Sequence, residues 1–203
     1  EGYQTLQLTA TLTISPSTRT LVFEEIGERT YGDEDFVLTA RASSGEAVTF
    51  ASSDPSIAEV TNDGRVTLHA AGTTSITATV NENENYSNTP EMSRVLVVRK
   101  AQQSITLDAP PSVDRDAGSV QLVASSSSGL PVALSVDKPE VALLEESVLH
   151  IKRLGTVRIT ATQDGGPNHE AAAPVVVTVR VDDPDAALPI RTSKVVSPNG
   201  DGV

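Results

Sequence analysis

The chain has 203 residues, a length that suits one large domain or two small ones. It contains no cysteine, which excludes disulfides, thiolate metal ligands and a cysteine nucleophile, and it has no apolar run long enough to insert in a membrane. Its formal net charge of −12 disfavours binding to nucleic acid or to an anionic membrane surface, because both repel a negatively charged protein.

The first predicted element is the stretch TLQLTATLTI at residues 5–14. Its apolar and polar residues alternate with a period of two, which is typical of a half-buried strand. Tyr3 lies 83 residues before Tyr86, which is the spacing of the repeat described below. The stretch after Tyr3 therefore occupies the position of the last strand of a repeat. We therefore assign residues 1–16 to the last strand of a preceding repeat.

Residues 17–100 are predicted to form a small all-β domain. In the stretch 74–80, Ile76, Ala78 and Val80 alternate with polar residues, as in a strand with one buried face. The dipeptide Asp63-Gly64 between two apolar runs predicts a hairpin. About seven short strands separated by such turn signals favour an immunoglobulin-like (Ig-like) β-sandwich.

The same pattern returns in residues 101–182. GTTSITAT at 72–79 is matched by GTVRITAT at 155–162, and SSGEAVTF at 43–50 by SSGLPVAL at 127–134. Repetition at a spacing of 83 or 84 residues indicates one structural module that occurs twice. The predicted fold is therefore all-β, with two tandem Ig-like β-sandwiches arranged in series. Residues 183–203, interrupted by prolines, are predicted to be a linker and the start of another domain.

Two acidic stretches are candidates for calcium, which favours several hard oxygen ligands. Asp33 and Asp35 lie in a tight acidic turn, and Asn199 and Asp201 lie in a stretch that resembles half of a calcium loop. A solvated turn or a linker turn explains both stretches equally simply, and we favour that interpretation. The sequence therefore predicts that folding requires no metal.

Aromatic residues make up only 3 % of the chain, so few side chains can stack on a sugar ring. Phe36 and Phe50 occupy inward-type positions, which suits core filling. Tyr31 is the best exposed candidate for contact with a ligand.

Nothing in the sequence predicts catalysis. His69 and His150 lie near the ends of matching strands in different repeats, and we interpret them and His169 as surface or edge residues. The sequence carries none of the HExxH, GxSxG or phosphate-loop motifs. We therefore predict a protein that is not an enzyme and that needs no cofactor.

The first repeat resembles a known class of module. The stretches TYGDEDFVLTARASSGEAVTFASSDPSIAEV, AAGTTSITATVNENENY and KAQQSITL resemble the tandem bacterial Ig-like repeats of very large secreted proteins. The resemblance covers residues 20–100 well. The second repeat departs from the pattern, with residues 113–117 in place of the Tyr-Gly-Asp block and His169 in place of Tyr86.

The tail carries a second resemblance. SPNGDGV at residues 197–203 resembles the opening of the gliding-motility-associated C-terminal sorting domain of Bacteroidetes secreted proteins. This resemblance implies export by type IX secretion and a location outside the cell, on the bacterial surface.

Three functions are compatible with these observations. The favoured hypothesis is a non-catalytic spacer or stalk in an adhesin-like cell-surface protein. The alternatives are a glycan- or protein-binding Ig-like module and an accessory segment of a secreted enzyme. The expected partners of the spacer are neighbouring Ig-like repeats in the same chain, while host or matrix glycans or proteins would be bound by other parts of the protein.

Overall fold

The computed structural model describes residues 2–4 and 7–187, which form two compact units. The first unit comprises the described residues of Glu1–Gln102 together with Gly166–Glu170, and the second comprises the described residues of Gln103–Gly165 and Ala171–Val203. We call them the first and the second sandwich. Within the described part of the chain, no helix has the length and apolar character needed to cross a membrane.

Among its described residues, the first sandwich has nine strands arranged in three sheets. One sheet has four strands in the order β2-β9-β8-β5, another has three in the order β3-β7-β6, and β1 pairs with β4. The strands are β1 (Leu21–Phe23), β2 (Arg29–Thr30), β3 (Phe36–Val37), β4 (Ala40–Ala42), β5 (Val48–Ser52), β6 (Ala58–Val60), β7 (Arg65–Leu68), β8 (Gly72–Val80) and β9 (Glu91–Arg99).

The second sandwich repeats this topology strand for strand. Its sheets have the orders β11-β18-β17-β14, β12-β16-β15 and β10-β13. The strands are β10 (Ile105–Asp108), β11 (Ser112–Asp114), β12 (Ser119–Gln121), β13 (Val123–Ser126), β14 (Ala133–Val136), β15 (Ala142–Glu145), β16 (Val148–Ile151), β17 (Gly155–Thr162) and β18 (Val175–Asp182), and the short 3-10 helices are Arg115–Ala117 and Pro184–Ala187.

The core of the first sandwich is organised by its two long strands. Strand β8 buries every second residue, including Ile76, Ala78 and Val80, as its sequence alternation predicts. Strand β9 runs antiparallel to β8 and buries Leu96 and Val98 on the same face. Residues from the other sheets close this core, so the first sandwich has an apolar interior of its own.

The second sandwich has an independent core of the same design. Val157, Ile159 and Ala161 are fully buried on β17, and Val179 and Val181 are buried on β18. The prediction of an all-β fold with two tandem Ig-like sandwiches is therefore confirmed.

In both sandwiches an early strand pairs parallel with the last strand. Arg29 and Thr30 of β2 pair with Val98 and Arg99 of β9, and β11 pairs in the same way with β18. The side chain of Arg99 also contacts the residue before β2: its Nε and Nη2 donate hydrogen bonds of 2.8 Å to the two carboxylate oxygens of Glu28.

These hydrogen bonds and the positive charge of Arg99 lower the pKa of Glu28 below its ordinary value. A carboxylate with a lowered pKa stabilises the fold at neutral pH. That contribution is lost as the pH falls through the lowered pKa.

The β6–β7 hairpin depends on a glycine at its turn. Gly64 has a φ of +87°, and a Cβ at this position would lie 2.9 Å from the ring of Phe50, which is buried. The Asp63-Gly64 signal therefore reflects two demands, a left-handed backbone and space for the core ring. Gly45, in the turn between β4 and β5, has a similar φ of +77°, but a Cβ added there would meet no heavy atom within 4 Å.

We expect Gly64→Ala to lower the free energy of unfolding of the first sandwich by about 2–4 kcal/mol, because strain at positive φ adds to overpacking against Phe50. The matched control Gly45→Ala carries the backbone strain alone and should cost about 1–2 kcal/mol. Every tyrosine and phenylalanine lies at or before Tyr86, so urea unfolding followed by near-ultraviolet circular dichroism reports on the first sandwich. Equal losses in the two variants would contradict the steric part of this argument.

Candidate functional site

The structure places the acidic turn residues Asp33 and Asp35 in two separate sets of contacts. Asp33 Oδ2 accepts a hydrogen bond of 2.8 Å from the backbone N–H of Thr30 in its own turn. Asp35 Oδ2 accepts from Arg65 Nε at 3.0 Å and forms an ion pair with the same guanidinium. Within the described residues, no group of three or more His, Asp or Glu side chains converges on a point where a metal ion could bind.

The other two calcium candidates, Asn199 and Asp201, lie outside the described residues, as does the whole SPNGDGV stretch.

Tyr31, the predicted ligand contact, lies directly after β2 and is only partly exposed. Its side chain packs against the core of the first sandwich. Its ring also meets the ring of His169 edge-on, with the centroids 5.5 Å apart. Because both the core and His169 cover parts of the ring, Tyr31 presents less flat surface to a sugar than an exposed tyrosine would.

The two phenylalanines expected in the core are found inside the first sandwich. Phe50 is buried and meets Phe23 in an edge-on contact with centroids 5.6 Å apart. Phe36 is partly buried, and the guanidinium of Arg29 lies 4.2 Å from the centre of its ring.

The other two histidines each contact one glutamate across a strand pair. His69 Nε2 lies 3.3 Å from a carboxylate oxygen of Glu59, and His150 Nε2 lies 3.5 Å from one of Glu145. Each contact is an ion pair only when the imidazole is protonated. These are exposed pairs on the β6–β7 and β15–β16 hairpins.

A buried arginine that sequence analysis did not single out organises the polar part of the first sandwich. The side chain of Arg19 is fully buried and its Nη1 forms an ion pair with Glu46, without hydrogen-bond geometry. Arg19 Nε donates to the backbone oxygen of Asn88 at 3.2 Å, and Nη2 donates to the backbone oxygen of Asn81. The guanidinium also lies 5.0 Å from the centre of the Tyr86 ring, a cation–π distance.

The surrounding side chains complete this network. The Asn88 side chain accepts from the backbone N–H of Arg19 at 3.0 Å and donates to its carbonyl at 2.8 Å, as a neighbouring strand would. Ser44 and Asn83 donate to the carboxylate of Glu46. The buried charge is thus compensated, and the chain before β1, the turn after β4 and the loop after β8 are held together.

That loop, residues 82–89, lines an open groove of about 640 Å³. Asn83 and Asn88 are already engaged in the arginine network, whereas Glu82, Glu84 and Asn85 are exposed. The groove therefore offers carboxylate and amide groups that could hydrogen bond to a polar ligand.

Neutral side chains take the place of this network in the second sandwich. Gln103 stands where the first sandwich has Arg19, and its Nε2 donates to Oε1 of the buried Gln163. Ser128 Oγ donates to Gln103 Oε1, while Leu130 stands where the first sandwich has Glu46. The position of Arg19 and Gln103 is thus occupied by different polar side chains in the two sandwiches, and both are hydrogen-bonded.

We expect Glu46→Gln to lower the free energy of unfolding of the first sandwich by about 1–3 kcal/mol, because it leaves the buried Arg19 without its counter-ion. The matched control Glu84→Gln removes the same charge from an exposed loop position and should change stability by less than about 0.5 kcal/mol. The double variant Arg19→Gln with Glu46→Leu copies the second sandwich and should recover part of the loss. The single variants Arg19→Gln and Glu46→Leu complete a double-mutant cycle with this double variant, and strictly additive effects in that cycle would contradict the coupling.

We also expect thermal melting curves recorded with and without a chelator to coincide. Asp33 accepts a hydrogen bond from the backbone N–H of Thr30, and Asp35 is paired with Arg65. The fold therefore does not require a cation to hold these carboxylates. A large fall in melting temperature on chelation would overturn this expectation.

The geometry can be compared with known proteins. Residues 34–89 match the family model of the bacterial Ig-like domain (group 2), which confirms the resemblance over the middle of the first sandwich. No curated protein matches the sequence.

Several solved structures match this chain at low sequence identity. Human protocadherin-24 EC1-2 is 14 % identical, covering 80 % of this chain and 97 % of that chain with a TM-score of 0.35. Domains 4 and 5 of the S-layer protein SbsC are 19 % identical, covering 81 % and 98 % with a TM-score of 0.32. Mouse cadherin-23 EC22-24 is 12 % identical, covering 82 % and 67 % with a TM-score of 0.34. Residues 34–89 are similar to a bacterial Ig-like domain.

Proposed function

We propose that the two sandwiches are non-catalytic spacer modules of an extracellular, adhesin-like protein of the bacterial surface. The observation that carries this proposal is a contrast between the two modules. They keep the same buried face, while the polar chemistry of their loops differs. A module repeated for its length needs its fold to be kept, whereas a module repeated for binding needs its loops to be kept.

The buried face is kept at the level of single residues. Ile76 and Ala78 on β8 have their counterparts in Ile159 and Ala161 on β17, and all of these side chains are fully buried. Each sandwich therefore closes its own core, as expected for modules that can be joined in different numbers.

The loops are not kept. The ion pair of Arg19 with Glu46 gives way to Gln103 and Leu130. The acidic and amide-rich stretch 82–89 gives way to GGPNHEAA at residues 165–172. A ligand that recognised this loop in one sandwich would find different donors and acceptors in the other.

The location on the cell surface is part of the proposal. Its support is the resemblance of residues 197–203 to the start of a Bacteroidetes sorting domain, together with the bacterial Ig-like match at residues 34–89. On this proposal the protein leaves the cell by type IX secretion, and neighbouring Ig-like repeats are the partners of these modules.

The spacer role is tested by exchange in the intact surface protein. Replacing residues 17–182 by two unrelated Ig-like modules of equal length should preserve both surface display and adhesion, because only the length is used. Deleting the same residues should preserve display but weaken adhesion. Display is measured by antibody labelling of whole cells and adhesion by attachment under flow. Loss of adhesion after the equal-length exchange would contradict the proposal.

A binding module is the second candidate, favoured by the open polar groove at residues 82–89. It is separated from the spacer role by titrating the 203-residue chain against a panel of glycans and matrix proteins. Micromolar or tighter binding that is lost on Glu84→Ala or Asn85→Ala, two exposed loop positions, would favour the binding module.

A further inference from the structure

Residues 7–15 carry an apolar face that packs against nothing among the described residues. Leu8, Leu12 and Ile14 are 91 %, 84 % and 82 % exposed. The described residues supply no hydrogen bond and no strand partner to this stretch. Three aliphatic side chains on one face of an alternating segment are unfavourable in water and favour burial against a partner.

The structure fixes which part of a sandwich this segment corresponds to. Ser17 forms an isolated parallel bridge with Tyr86, and Ala101 forms the same bridge with His169. Ser17 and Ala101 therefore occupy the same place, each at the start of a repeat. Strand β9 ends just before Ala101, so residues 7–15, just before Ser17, take the place of β9.

The match holds for each core position. Counting back from the two bridges, Leu12 stands in the place of Leu96 and Ile14 in the place of Val98. Leu96 and Val98 are 0 % and 3 % exposed in the core of the first sandwich. The apolar face of residues 7–15 thus has the spacing and side-chain size of a last strand.

The remaining positions agree as well. Leu8 stands in the place of Met92, which packs partly buried against the core. The intervening residues Thr9, Thr11 and Thr13 fall at positions of β9 that point away from the core. A branched polar side chain suits the outer face of a strand.

We propose that residues 7–15 are the last strand of a further Ig-like sandwich and complete its core. The segment would lie antiparallel to the strand equivalent to β8, with Leu8, Leu12 and Ile14 filling the open core. Both described sandwiches already hold their own last strands, β9 and β18, so the partner is a further sandwich of the same kind. This interaction surface goes beyond the spacer role and does not depend on it.

The test supplies such a partner. A copy of residues 17–90, which ends before β9, is fused directly in front of residue 7 of the otherwise unchanged chain. If residues 7–15 donate the missing strand, the added copy folds and its own Phe23, Tyr31, Phe36, Phe50 and Tyr86 become ordered. The near-ultraviolet circular dichroism per chain should then rise towards twice that of the original chain, with a cooperative melting transition.

Two matched fusions make the result decisive. The first carries Leu12→Lys and Ile14→Lys, which alter only exposed positions of the original chain, and should show no rise in signal. The second adds a complete copy, residues 17–99, and should fold with or without these two substitutions. The proposal is overturned if the complete copy folds while the copy of residues 17–90 does not. It is equally overturned if the copy of residues 17–90 folds regardless of the two lysines.

Discussion

The register between the two long antiparallel strands is the constraint on which each sandwich depends. In the first sandwich, Gly72 faces Val98 and Thr74 faces Leu96, which places the alternate residues of both strands on one buried face. Because side chains alternate with a period of two, a slip by one residue would turn Leu96 and Val98 into solvent and bring polar residues inside. The remaining strands are mostly two to five residues long and add to a face that β8 and β9 have already defined. The second sandwich repeats the arrangement with β17 and β18.

The polar ends of the sandwiches are less constrained than their cores. A core position must be filled by an apolar side chain of about the right volume, so few replacements are tolerated. A polar network must only satisfy its donors and acceptors, and the structure contains two solutions, one built on Arg19 and one on Gln103. The two modules therefore differ at positions where a change does not disturb the shared core. This pattern favours the spacer role, which uses the fold, over the binding role, which uses one loop.

The sequence predicted the parts of the fold that are encoded locally. Alternation over residues 74–80 predicted β8, and the dipeptide Asp63-Gly64 predicted the hairpin between β6 and β7. The burial of Arg19 could not be predicted, because its counter-ion Glu46 and its acceptors Asn81 and Asn88 are distant in the chain and are assembled only by folding. The partial burial of Tyr31 has the same cause, since His169 reaches its ring from far along the sequence.

The parallel pairing of β2 with β9, and of β11 with β18, has a mechanical consequence. In each sandwich one partner lies near the start of the module and the other at its end. A force that pulls the two ends of a module apart therefore draws these strands past each other along their length. The hydrogen bonds between them are then loaded together in shear, and they must break together before the sandwich opens. An antiparallel hairpin pulled at its open end would instead lose its bonds one after another. Resistance to tension is set by the rate of forced unfolding rather than by equilibrium stability, and we expect this topology to slow that step in both modules.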